Sequence, residues 1–312
     1  MPGEEEAFPG GWSPDGTQLF FVSTQSGRQN IYTMNVEPFA PTQIIPASDV
    51  NAHFPSYSPD GGKIVFQIEN EDKTGEIRVM DLDTKKASTI TNTQTPDGYP
   101  KFSPDGSSIV FQERVNGNSE ICLIRADGSG GVQDLTANPS RDVKPSWSPD
   151  GTKIVFSSNR DGNFELFQLY LMNADGSNQH RVYFSNAMNV DASWSPDGRE
   201  ILFASDKEDN GTGNFEVFAI EPETTAPERR LTFRRGYDIY PIYSPDGTRI
   251  AFVSRADGNS EIYVMNADGS RLIRLTRDTA DDTEPSWSPD SKKIIFSSNR
   301  NGKFGIYELA IF

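Results

Sequence analysis

Residues 241–276 read PIYSPDGTRIAFVSRADGNSEIYVMNADGSRLIRLT, and this pattern recurs from one end of the chain to the other. Ser-Pro-Asp opens at Ser13, Ser58, Ser103, Ser148, Ser195, Ser244 and Ser288, in steps of 45, 45, 45, 47, 49 and 44 residues. A period in that range, with turn signals inside each unit, is the signature of a propeller or a similar array. Each unit reads as four short strands. Pro-x-aromatic-Ser is the first, and Ser-Pro-Asp-Gly is a tight turn, with proline presetting φ and glycine accepting a left-handed one. Arg249–Ser254 alternates β-branched and aromatic residues and is the second strand. Asp-Gly turns then lead into Glu261–Met265 and Leu272–Thr276. Four antiparallel strands joined by hairpins and repeated seven times predict an all-β, seven-bladed propeller.

The repeats agree where stacked blades require it. Six residues after each motif Asp stands a phenylalanine, from Phe21 and Phe66 to Phe252 and Phe296. Two positions earlier is always Leu or Ile, and the residue before each motif Ser is Trp, Tyr or Phe. Each blade is covered by its neighbours, so these side chains are expected to be the packing between blades. Blade 7 stops at Phe312, at the end of its third strand, so the last blade is expected to lack its outer strand.

Length alone would suggest two domains, but the unbroken repeat points to one propeller over residues 1–312. Net charge is −16, from 29 basic and 45 acidic residues, which disfavours nucleic acid and anionic membrane surfaces. No apolar run approaches the roughly 20 residues of a membrane span. The opening MPGEEEAF lacks an apolar leader region, so the chain reads as cytoplasmic, or as a mature or trimmed form. The single cysteine, Cys122, rules out an internal disulfide and reads as a buried thiol.

The pattern P-x-W-S-P-D-G-x-x-I-x-F, followed by D-G-N-x-E-I-Y-x-M-N-A-D-G and R-L-T, resembles the PD40 repeat. That repeat builds the propellers of TolB-type periplasmic proteins and of tricorn-type and prolyl-oligopeptidase-like peptidases. The resemblance covers nearly the whole chain and implies a periplasmic or extracellular location and a role in protein binding. It differs from WD40 repeats, since no Trp-Asp dipeptide closes the third strand.

The candidate binding residues precede each first strand. Five residues before the aromatic stand Asp97, Asp142, Asn189, Asp238 and Asp282, while blade 2 has Ala52 there, next to His53. The loop before an innermost strand should open at one mouth of a propeller's central channel. Carboxylates repeated there could hold a cation or the basic groups of a peptide. They could equally cap their own loops by bonding backbone N–H groups. Asn189 and His53 interrupt the symmetry, as a specific site would.

Enzyme chemistry has little support in the sequence. There are two histidines, His53 and His180, and no Gly-x-Ser-x-Gly elbow or phosphate loop. No catalytic residue, metal ligand set or cofactor is assigned. The expectation is a non-catalytic scaffold that binds a protein or peptide, a basic one favoured. The alternatives are a propeller lyase or hydrolase, or the gating or sensory module of a larger peptidase or receptor.

Overall fold

The computed structural model describes residues 6–36, 41–43, 51–70, 74–91, 97–161, 166–183, 187–209 and 213–311. The fold is a seven-bladed β-propeller of antiparallel sheets, six of four strands and a last one of three among the described residues. The only helical element among them is one 3-10 turn, Lys207–Asp209. The chain divides into two compact units, Met1–Pro145 with Lys303–Ile306, and Ser146–Gly302 with Tyr307–Phe312.

Unit 1 carries three complete blades. Blade 1 comprises Ala7–Trp12, Gln18–Ser23, Asn30–Asn35 and Pro41–Gln43. Blade 2 comprises Asn51–Tyr57, Lys63–Glu69, Gly75–Asp81 and Lys86–Thr89, and blade 3 Asp97–Phe102, Ser108–Val115, Asn118–Arg125 and Gln133–Asp134. Blade 4 opens with Asp142–Trp147, and unit 2 holds its remaining strands, Lys153–Ser158, Gln168–Asn173 and His180–Arg181. Blade 5 is Asn189–Trp194, Ile201–Ser205, Glu216–Ile220 and Arg229–Arg230. Blade 6 is Ile239–Tyr243, Arg249–Ser254, Glu261–Asn266 and Ile273–Arg274, and blade 7 is Asp282–Trp287, Lys293–Ser298 and Gly305–Ala310.

Each Ser-Pro-Asp motif builds its turn with its own side chains. In all seven copies the Ser hydroxyl donates to the Asp Oδ1 at 2.5 to 2.7 Å. The same hydroxyl accepts the N–H of the residue that opens the following strand or, for Glu200, immediately precedes it, at 2.9 Å from Lys153 for example. These bonds hold the motif carboxyls, such as Asp15 and Asp290, below the ordinary aspartate value. The acids are spent on turns.

The motif glycine solves a packing problem as well as a backbone one. Gly61 has φ +73, and a Cβ there would lie 3.3 Å from Pro14 Cδ of the preceding blade. Blade 7 replaces this glycine with Ser291, which takes φ 61 and accepts the Asp246 N–H at 3.0 Å. A hydrogen bond between blades there offsets the left-handed strain.

The repeated apolar positions form the core. The phenylalanines six residues after the motif Asp are 0–5% exposed, and the Leu or Ile two earlier 0–2%. The residues before the motif Ser are less uniform. Phe102, Tyr243 and Trp287 are buried, whereas Trp12, Tyr57, Trp147 and Trp194 are half-buried. Trp194 uses its polar edge, donating Nε1–H to the Ser146 carbonyl of the neighbouring blade at 3.3 Å.

Candidate functional site

The five repeated acids and amide lie within or at the edge of first strands rather than in the loops before them. Asp97, Asp142, Asn189 and Asp282 are the opening residues of their strands, and Asp238 immediately precedes Ile239–Tyr243. Backbone bonds from the preceding blade extend the strands this far. The N–H groups of Asn189, Asp238 and Asp282 donate to Phe167, Phe215 and Ser260 carbonyls at 2.8 to 2.9 Å.

All five side chains are 0–2% exposed and bonded locally. Asp97 accepts from Thr91 Oγ1 at 2.6 Å, and Asp142 from Asn138 Nδ2 at 2.5 Å. Asn189 donates to Gln168 Oε1 at 2.7 Å. Asp238 accepts from Ser254 and Thr232, and burial raises its carboxyl to about 6. Asp282 takes the Arg300 guanidinium at 3.1 Å, and burial raises its carboxyl as well. His53 is half-buried, with Nε2 3.2 Å from Glu69 Oε2. These side chains are brought under the surface, each into its own blade interface.

The threonine of the R-L-T ending explains why an acid recurs there. Thr91, Thr136, Thr232 and Thr276 accept the N–H of Ile77, Ile121, Val217 and Ile262 on the third strand of their own blade. Their hydroxyl hydrogen is then available to a carboxylate, Asp97 for Thr91 and Glu120 for Thr136. Thr232 and Thr276 bond Asp238 and Asp282 in the same way. A second acid accompanies several of these interfaces, Glu120, Glu216 or Glu261 at or near the start of a third strand, all buried. Glu216 and Glu261 receive the fourth-strand Arg230 and Arg274.

Two residues beyond this repeat position, which holds Ala52 in blade 2 and Asn189 in blade 5, the first strand does something that sequence reasoning missed. Phe54, Tyr99, Lys144, Asp191, Tyr240 and Glu284 all have φ between 48° and 56°, a left-handed backbone that side chains avoid. The pairing with the second strand skips at this place, between His53 and Ser56 and between Thr283 and Ser286 for example. This is a β-bulge, which re-aims the side chain it carries. A proline directly follows in five blades (Pro55, Pro100, Pro145, Pro241 and Pro285), and a proline inside a strand was the available signal.

The bulge side chains face solvent. Phe54 is 42% and Tyr240 41% exposed. Lys144 and Glu284 are exposed, while Tyr99 and Asp191 are half-buried. In unit 1, the rings of Phe54 and Tyr99 stack with centroids 4.1 Å apart. Lys101, two residues past Tyr99, is also exposed. Surrounding protein displaces bulk water from Lys101, and that, with repulsion from Lys144, lowers its ammonium below the ordinary lysine value. In unit 2 the same repeat positions are Asp191, Tyr240 and Glu284, and partial loss of water raises the Glu284 carboxyl. This surface can stack flat groups and attract charges.

Among the described residues, no three His, Cys, Asp or Glu side chains are arranged to hold a metal ion. No helix there is long and apolar enough to cross a membrane. Cys122 is fully buried, and loss of water raises its thiol far above the usual range.

The model of the PD40 family, described as the TolB beta propeller domain, matches residues 55–231 and 219–311. A TolB homolog of Chlorobium luteolum is 37% identical over 54 residues, 17% of this chain and 12% of that protein. This chain therefore matches only a small part of that relative's length. The structure of oligogalacturonate lyase from Vibrio parahaemolyticus superposes with a TM-score of 0.82 at 16% identity, covering 100% of this chain and 92% of the lyase. TolB from Acinetobacter baumannii superposes with a TM-score of 0.64 at 24% identity, covering 91% of this chain and 66% of TolB. At these identities the structural likeness is one of fold.

Proposed function

The chain belongs to the PD40 family of TolB beta propellers, and from that premise we propose that it is a non-catalytic scaffold binding a protein or peptide segment on the solvent faces of its first strands. The observation that carries this reading is a contrast between two neighbouring repeat positions. The buried position is Asp or Asn in blades 3 to 7, Asp97, Asp142, Asn189, Asp238 and Asp282, with alanine in blades 1 and 2, as a position that maintains the repeat in those blades should be. The bulge position two residues on is strained in every case yet chemically different, Phe54, Tyr99, Lys144, Asp191, Tyr240 and Glu284. Strain kept in blades 2 to 7 with a changing side chain fits a surface selected for recognition.

In this reading the buried acids, with Asn189, are positioning residues that fix each bulge from beneath. His53, held by Glu69, does the same beside Phe54. Asp191 and Glu284, with the chain's net charge of −16, favour a basic segment. The family resemblance supports a periplasmic or extracellular setting.

The test is binding of labelled basic, neutral and acidic peptides to the intact chain at low and high salt. Basic peptides should bind best, lose affinity with salt, and weaken roughly tenfold in an Asp191→Asn, Glu284→Gln variant whose melting temperature is unchanged. Absence of peptide binding, or turnover of a peptide or an oligogalacturonate, would overturn it.

A further inference from the structure

Of the large apolar side chains described, Phe233 is the most exposed, at 69%, and it lies in the unit 2 loop Phe233-Arg234-Arg235-Gly236-Tyr237. We propose that this loop is a docking surface for an acidic segment of a partner protein. Phe233 and Tyr237 take the apolar side chains of that segment, and Arg235 takes its carboxylate. The surface is additional to the first-strand faces and opposite to them in charge preference.

The loop joins the fourth strand of blade 5 to the first strand of blade 6, and its sister loops are built differently. After blade 3, Asn138 Oδ1 accepts the Ser140 N–H, and after blade 6, Asp278 Oδ1 accepts the Ala280 N–H, both at 2.8 Å. A short polar side chain thus closes each of those loops on itself. Arg234 stands at the same place after blade 5 and reaches Asp257 at 3.0 Å and the Tyr263 hydroxyl at 3.3 Å instead. Three further contacts fix the loop. The Gly236 N–H donates to Asn214 Oδ1 at 2.7 Å, and the Tyr237 ring meets Phe215 edge-on at 5.0 Å. A Cβ on Gly236 would lie 2.8 Å from the Ala256 nitrogen, so the backbones are in close contact. A loop already fixed loses little entropy when it binds.

The carboxylates bonded to this loop already hold guanidinium groups. Asp257 has Arg234 and Arg274, and Glu216 has Arg230, whose guanidinium also lies 4.8 Å from the Phe233 ring centre. Arg235 is exposed, and among the described residues it makes no hydrogen bond, ion pair or ring contact. A guanidinium with no carboxylate on it, one residue from an exposed phenylalanine and one from Gly236-Tyr237, complements a carboxylate flanked by apolar groups. The net charge of −16 repels an acidic segment at long range, so affinity here comes from the contact itself.

The experiment titrates a peptide of alternating glutamate and leucine, and the same peptide with glutamine for glutamate, into the intact chain by calorimetry. At about 0.15 M salt, charges more than about 8 Å apart are largely screened. The glutamate peptide should bind about fivefold tighter than the glutamine one. Arg235→Gln should remove that preference, and Phe233→Ser should weaken both peptides about tenfold. Lys292→Gln, which takes one charge from an exposed ammonium elsewhere in unit 2, should leave the preference intact. Equal affinity of the two peptides for the wild type, or the same loss in Arg235→Gln and Lys292→Gln, would sink the proposal. The wild-type comparison needs no variant to fold. Basic-peptide binding through Asp191 and Glu284 is read separately, so either result can fail while the other stands.

Discussion

Asn189 Nδ2 donates to Gln168 Oε1 at 2.7 Å, at an interface where three coordinated departures from the repeat meet. Gln168 stands where blades 3, 5 and 6 have Glu120, Glu216 and Glu261, and Asn189 where they are followed by aspartates. Tyr183 stands where those blades have Thr136, Thr232 and Thr276. The threonine hydroxyl is the donor that a buried carboxylate needs. With tyrosine in its place that donor is gone, and an amide, which carries its own, replaces the acid. The departure at Asn189 thus has a local cause in hydrogen bonding.

The first prediction follows for Asp238, whose carboxyl burial raises to about 6. In the unfolded chain it titrates near 4, so between about pH 4 and 6 the folded state holds the extra proton. Its contribution therefore favours folding at low pH and is lost as pH rises through 6, a cost of roughly 2–3 kcal/mol at neutral pH. Asp238→Asn can donate to Glu216 as Asn189 does to Gln168, and should remove this pH dependence. Urea melts across that window check it, and a variant less stable than wild type above pH 7 would contradict it.

Phe156 is fully buried, with the Arg160 guanidinium 5.3 Å from its ring centre. Phe156→Ala should cost about 3–5 kcal/mol in denaturant melts, as truncation of a buried aromatic does. A loss under about 1 kcal/mol would mean that the neighbouring blade collapses into the space.

Gly75 begins a third strand whose edge runs against blade 3. A Cβ there would lie 2.9 Å from the Asp97 backbone nitrogen and 3.1 Å from its carbonyl oxygen. Gly75→Ala should destabilise by about 1–3 kcal/mol and displace the strand that carries Tyr99 and Lys101. Gly27→Ala is the control, since its φ of +86 is strained but nothing lies within 4 Å. Its smaller loss, of about 1 kcal/mol, reports the backbone cost alone.

Cys122 is fully buried and its thiol is held protonated. Reaction with a thiol reagent should be negligible in the native protein and fast in urea. Labelling at native pH at a rate close to that of the unfolded chain would show that blade 3 opens readily.

The sequence by itself determined the blades, because every requirement of a blade is local. A turn needs Ser, Asp and Gly within five residues, a strand needs alternation, and a stacked sheet needs a large apolar side chain at one repeated place such as Phe156. The positions of Asp97, Asp142, Asn189, Asp238 and Asp282 were legible for the same reason, since repetition marks them. Their direction was not. Whether a carboxylate turns outward or into the interface depends on donors such as Thr91 and Ser254, supplied by a different strand or the preceding blade. The bulge at Phe54, Tyr99, Lys144, Asp191, Tyr240 and Glu284 was decided by tertiary structure too. It arises because the first strand must satisfy the backbone of the preceding blade at one end and pair with its own blade at the other. One extra residue reconciles the two registers and turns a side chain toward solvent. No stretch read alone contains that conflict.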